Sequence, residues 1–121
     1  MVYPLSSHTH KRPSQSLLMT GLEQTLVTQS SVNTVIQMYI DLTNILVTDL
    51  VNVRTYVKET AAGAWVKWGD VPYPEPTKPI IDEPLMYFRE LPVAYSVKVT
   101  IQQTAGVMRT VSYTIYTERR P

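Results

Sequence analysis

The stretch Val93-Ala94-Tyr95-Ser96-Val97-Lys98-Val99-Thr100-Ile101-Gln102 decides the fold class. Val93, Tyr95, Val97, Val99 and Ile101 fall on one side of an extended chain, and Ala94, Ser96, Lys98, Thr100 and Gln102 on the other. A sustained period of two marks a strand with one buried face. Thr104-Ala105-Gly106 then predicts a turn, after which Val107, Arg109, Val111, Tyr113 and Ile115 alternate to about Thr117. Residues 93–117 therefore predict a long antiparallel hairpin. Leu85-Met86-Tyr87-Phe88-Arg89-Glu90 is the strand that leads into it.

The same period runs through the middle of the chain. Between Asn33 and Asp41, Ile36, Met38 and Ile40 share one face, opposite Val35, Gln37 and Tyr39. Between Asp49 and Lys58, Val51, Val53, Thr55 and Val57 oppose Asn52, Arg54, Tyr56 and Lys58. In the connection Leu42-Thr43-Asn44-Ile45-Leu46-Val47-Thr48, Asp41 and Thr43 suit a capped turn, and Ile45 and Leu46 are expected to plug one end of the core. Leu22–Gln29 and Ala64–Trp68 add two further strands. The result is an all-β chain of about seven antiparallel strands, which at this spacing close as a β-sandwich or jelly roll. Periodicity leaves strand order open.

Two regions depart from this pattern. Pro72, Pro74, Pro76, Pro79 and Pro84 fall within thirteen residues. Proline donates no ladder hydrogen bond and restricts its predecessor, so a proline-rich loop is expected at 70–84. Residues 1–20 are polar and proline-interrupted, with Ser6-Ser7-His8-Thr9-His10-Lys11-Arg12-Pro13-Ser14-Gln15-Ser16 at their centre. They read as an extended N-terminal arm on a single domain at 21–121. Such an arm orders only against partners, either its own domain or a neighbouring subunit.

Composition narrows the function. The chain of 121 residues is 44% hydrophobic, long enough for a core of its own. It has no cysteine, hence neither disulfides nor thiolate metal sites. Eleven basic and ten acidic residues leave a net charge of +1, which argues against a nucleic-acid partner. His8, His10, Lys11 and Arg12 nonetheless make the arm locally basic, and it is where any anionic partner would dock. No apolar run approaches the roughly 20 residues of a spanning helix, and Met1-Val2-Tyr3-Pro4-Leu5 lacks the pattern of a secretory signal. Neither secretion by that route nor a membrane partner is expected.

A catalytic centre is not expected. His8 and His10 are the sole imidazoles, and a zinc site needs more ligands than the two supply. A serine nucleophile needs an oriented base, yet both imidazoles lie in the arm. Asp82 and Glu83 point to opposite sides of an extended chain, so they make no acid pair. With four scattered glycines there is no phosphate-binding loop. No enzyme activity, cofactor, metal or small-molecule substrate is expected. The aromatic residues Trp65, Trp68 and Tyr73 are the best candidates for a recognition surface. Trp65 and Trp68 differ in parity, so a flat strand exposes one of them. Trp68 in the core with Trp65 beneath the proline loop competes with an exposed aromatic platform.

Met38-Tyr39-Ile40-Asp41-Leu42-Thr43, Asp49-Leu50-Val51-Asn52-Val53-Arg54 and Tyr95-Ser96-Val97-Lys98-Val99-Thr100-Ile101-Gln102-Gln103-Thr104-Ala105-Gly106 carry a resemblance. In layout, the chain over about 22–117 resembles small virion proteins of tailed phages and related viruses, of the capsid decoration and jelly-roll types. The resemblance implies a non-enzymatic subunit of a virion, assembled in the host cytoplasm. It also implies that copies of the chain, or a major capsid protein, are the partners, met through arm, sheet edges and loops. It supplies no catalytic residues, and the proline-rich loop has no counterpart in it. The alternative is a carbohydrate- or receptor-binding module that uses Trp65, Trp68 and Tyr73.

Overall fold

Ile36, Met38 and Ile40 are completely buried, and so are Val97, Val99 and Ile101, in the facing sheet. Period-two alternation thus places two apolar faces back to back, the arrangement of a β-sandwich. The computed structural model describes residues 8–11, 14–30, 34–74, 85–92 and 95–119, and for 8–11, 85–92 and 118–119 it describes the backbone. Its strands are β1 (His8–Lys11), β2 (Gln15–Leu18), β3 (Gln24–Gln29), β4 (Thr34–Asp41), β5 (Leu50–Lys58), β6 (Val66–Tyr73), β7 (Leu85–Pro92), β8 (Ser96–Ala105) and β9 (Thr110–Arg119). The body from residue 21 onward contributes seven strands, β3 to β9.

One sheet has the order β1-β9-β4-β7, with β2 also paired to β9; the other has the order β3-β8-β5-β6. From β2 onward the strands pair first with last: β2 with β9, β3 with β8, β4 with β7, β5 with β6. Successive pairs fall in alternate sheets, and β4–β9 and β5–β8 pairing closes each sheet. A ribbon of four antiparallel pairs wound around one core is a jelly roll. The segment expected as an arm forms part of this ribbon. β1 pairs with Tyr116–Arg119 and β2 with Thr110–Tyr113, end to end along the same edge of β9. Leu17 packs against the core and Met19 is fully buried in it.

The hairpin expected at 93–117 is not formed. β8 and β9 belong to different sheets, and Gly106–Arg109 is a corner that crosses between them. Alternation specifies which face of a strand is buried, and Val111, Tyr113 and Ile115 satisfy it equally well in the opposite sheet. β6 also runs past the strand expected at 64–68, so residues 70–73 are strand where the proline-rich loop was expected. Pro72 is tolerated because β6 is an edge strand, paired on one side only, to β5. Pro76, Pro79 and Pro84 lie outside the described residues. Ile45 closes one end of the core as expected, together with Leu42, whereas Leu46 is exposed.

Candidate functional site

Three connections meet at one end of the sandwich: 19–23 between β2 and β3, 42–49 between β4 and β5, and 106–109 between β8 and β9. The register fixes their proximity, since Leu18 lies opposite Thr110, Asp41 opposite Ser112, and Leu50 opposite Ala105. Hydrogen bonds then tie them together. Met19 N donates to Arg109 O at 2.9 Å, and the Asn44 amide donates to Thr110 O at 2.9 Å.

Asp49 is the centre of this end. Its carboxylate, buried between the connections, accepts from Leu46 N at 2.9 Å, Val107 N at 3.2 Å and Arg109 Nε at 2.8 Å. Burial alone pushes its carboxyl up. The Arg109 hydrogen bond, the Leu46 amide, the Arg109 charge and the Val107 amide outweigh burial and hold it below its ordinary range. Gln103, also fully buried, donates to Ala105 O and Val107 O and accepts from Arg109 N at 3.0 Å. Asp41 caps the neighbouring turn by accepting from the amide and hydroxyl of Thr43.

This polar framework presents apolar side chains to solvent. Leu18, Leu22, Leu46, Val47, Val107 and Met108 are all exposed, Leu22 to 72% and Val107 to 64%. Single exposed apolar residues are ordinary, whereas several on adjoining, mutually bonded connections make this end the candidate surface. Composition obscures this surface, because its residues come in short runs whose other members, such as Met19 and Ile45, are core. Apolar pairs such as Leu46-Val47 and Val107-Met108 beside turns are the signal that marks it.

The outer face of the β3-β8-β5-β6 sheet is polar. Glu23 accepts from the Tyr56 hydroxyl at 2.7 Å and from the Thr100 hydroxyl, and lies 3.5 Å from Arg54. Arg54 also bonds Asp70 at 3.1 Å and Gln102 at 2.8 Å, and Asp70 accepts from Asn52. Burial pushes both carboxyls up, but hydrogen bonds and the Arg54 charge prevail and hold Glu23 and Asp70 below the ordinary range. They are ionised members of a structural network. Above them, Lys98 Nζ lies 4.6 Å from the Trp65 ring centre and 4.9 Å from that of Tyr56, and Lys58 Nζ lies 5.5 Å from Trp65.

No family model matches the chain, and no curated protein does. Among solved structures it is similar to a chain in the structure of infectious bursal disease virus, Gx strain. The TM-score is 0.41 and the identity 14%, over 94% of this chain and 33% of that one. The present chain thus spans about a third of that chain's length. At this score the likeness decides neither family nor function.

The residues singled out in the sequence are not gathered into one place. Trp65 is half-buried under the two lysines, and Trp68 is exposed, not core. Gly69 pairs with Thr55 and Lys67 with Tyr56, so Trp68 is the extra residue of a β-bulge, which breaks the parity of a flat strand. Tyr73 packs against the core at the far end of β6, opposite Val51, roughly 20 Å along the strand from Trp65. His8, His10 and Lys11 lie on β1, whose side chains are outside the described residues, as is Arg12 altogether. Among the described residues no three His, Cys, Asp or Glu side chains come together as a metal site.

Proposed function

We propose that the chain is a non-enzymatic structural subunit of a viral particle, either shell-forming or decorating. Its neighbours, copies of itself or a major capsid protein, are met through the apolar loop end and the N-terminal strands. The observation that carries this reading is the loop end: exposed apolar side chains held on connections that Asp49 and Gln103 make rigid. A pre-organised apolar surface loses little entropy on docking, and each large side chain fully buried there contributes roughly 1.5–3 kcal/mol. The jelly-roll ribbon supports the reading by leaving its loops free of any role in closing the sheets. β1 and β2 support it too, since a terminal strand on a sheet edge can pair with the same edge of a neighbour in place of its own.

Light scattering with sedimentation velocity over a concentration series tests this. The native chain is expected to associate as concentration rises, whereas Leu46→Ser/Val107→Ser stays monomeric with a melting temperature within a few degrees of native. A native chain that remains monomeric at its solubility limit overturns self-assembly through the loop end. Deletion of residues 2–11 tests the N-terminal contact separately, because it spares Leu17 and Met19.

A further inference from the structure

Lys58 and Lys98 converge on one indole. Their ammonium groups lie 5.5 and 4.6 Å from the Trp65 ring centre, which places them within about 10 Å of each other, no more than a Debye length at 0.1 M salt. Among the described residues neither has a carboxylate within ion-pair distance. The described carboxylates of that face are already engaged: Glu23 by hydrogen bonds from Tyr56 and Thr100 and by the charges of Arg54 and, at longer range, Lys98, and Asp70 by Asn52, Arg54 and Lys67. Glu59, next to Lys58, is exposed and forms no ion pair among the described residues. The rings hold the two cations in place by cation–π attraction, and among the described residues their N–H donors are unfilled. Glu23 attracts Lys98 through space, but its oxygens are committed to Tyr56 and Thr100, so among the described residues the two like charges have no carboxylate in direct contact and suit an external anion.

We infer that this cluster, Lys58 and Lys98 around Trp65 and Tyr56, binds an anionic saccharide that carries sulfate or carboxylate groups. The ammonium groups take the anionic substituents, and the half-buried rings offer apolar surface to the carbon face of a sugar. A nucleic acid fits less well. Its backbone needs a cationic track, and here the positive spot is compact and is followed along the same face by Glu23 and Asp70. The site lies away from the loop end, so it goes beyond the assembly reading and stands without it.

The test is a titration of the full chain in a Trp68→Phe background, which leaves Trp65 as the sole indole, at low concentration. A sulfated heparin tetrasaccharide is expected to change Trp65 emission saturably, and a neutral tetrasaccharide without sulfate or carboxylate groups to leave it unchanged. Lys58→Gln/Lys98→Gln should weaken binding about tenfold or more, the equivalent of one charge-assisted contact, with the melting temperature preserved. Equal binding by the double variant overturns the inference. So does equal affinity for a single-stranded oligonucleotide of the same charge, or saturation by inorganic sulfate at the same concentration.

Discussion

Asp49 Oδ2 accepts a hydrogen bond from Arg109 Nε at 2.8 Å, so a residue at the entrance to β5 is pinned to the corner that leads into β9. These two strands lie in different sheets. The pair is therefore a strut between the layers at the loop end. The Asp49 side chain is wholly buried while Arg109 is a quarter exposed, so the acid carries the larger desolvation penalty and depends on its partners.

Asp49→Asn is expected to cost about 3 kcal/mol in chemical denaturation at neutral pH, because it removes the charge while Arg109 stays in place. The cost should depend on pH. The folded carboxyl titrates below its unfolded value of about 3.9, so its contribution is complete above that value and is lost as pH falls through the folded one. The gap between native and variant should therefore narrow as pH is lowered from 5 to about 3. A gap that stays constant over this range would show that the charge is not what Asp49 supplies.

Gly106 makes the same corner sterically exclusive. Its φ is +86°, and an added Cβ would meet Asp49 Oδ1 at 1.9 Å and Asp49 Cα at 2.8 Å. The second contact is with backbone and cannot be relieved by a rotamer change. Gly106→Ala should thus cost more than the roughly 1 kcal/mol of ordinary left-handed strain, about 3 kcal/mol in all. Gly21→Ala is the control: it has φ +87° but open space around it, so it should cost only about 1 kcal/mol.

Gln103 carries a separate prediction, since it fills an inward position that apolar alternation reserves for a hydrophobic residue. Its amide satisfies two carbonyls and one backbone N–H of the corner. Gln103→Met preserves volume and adds apolar character, yet should destabilise by about 2–3 kcal/mol, because those backbone groups are left buried and unpaired. Hydrogen exchange at Val107 and Arg109 should accelerate more than at the β4 core amides, and uniform acceleration would contradict a local role.

Gln103 also shows where the sequence stopped being legible. The parity of 97, 99 and 101 predicts that 103 points inward, and it does, but alternation carries no information about which backbone groups await it there. The inner faces of β4, β5, β8 and β9 were readable because each buries several apolar residues in unbroken register, so one local rule repeats. Which of Trp65 and Trp68 is exposed was left open by parity, because a bulge in β6 at Trp68 interrupts the alternation that the rule assumes. Thr104-Ala105-Gly106 was read as a hairpin turn because a glycine reverses the chain whether the next strand joins the same sheet or the opposite one, and the corner at 106–109 leads to the opposite one. Of the candidate surfaces, Trp65 was legible as an aromatic, whereas Lys58 and Lys98 meet it through the pairing of β5 with β8, a long-range contact.

The N-terminal segment yields the last prediction, because adjacent residues there have opposite fates. Met19 is 1% exposed and packs in the core beside β9, while Leu18, one residue earlier, is 60% exposed at the loop end. Met19→Ala should cost about 2–4 kcal/mol, the transfer of a large side chain plus the cavity it leaves. Leu18→Ala should change stability by less than about 0.5 kcal/mol, as a surface substitution does. Under the assembly reading, Leu18→Ala nevertheless weakens association in sedimentation, so the two substitutions separate folding from docking within two residues. Equal destabilisation by both would mean that β2 is not anchored in the register that pairs Leu17 with Val111.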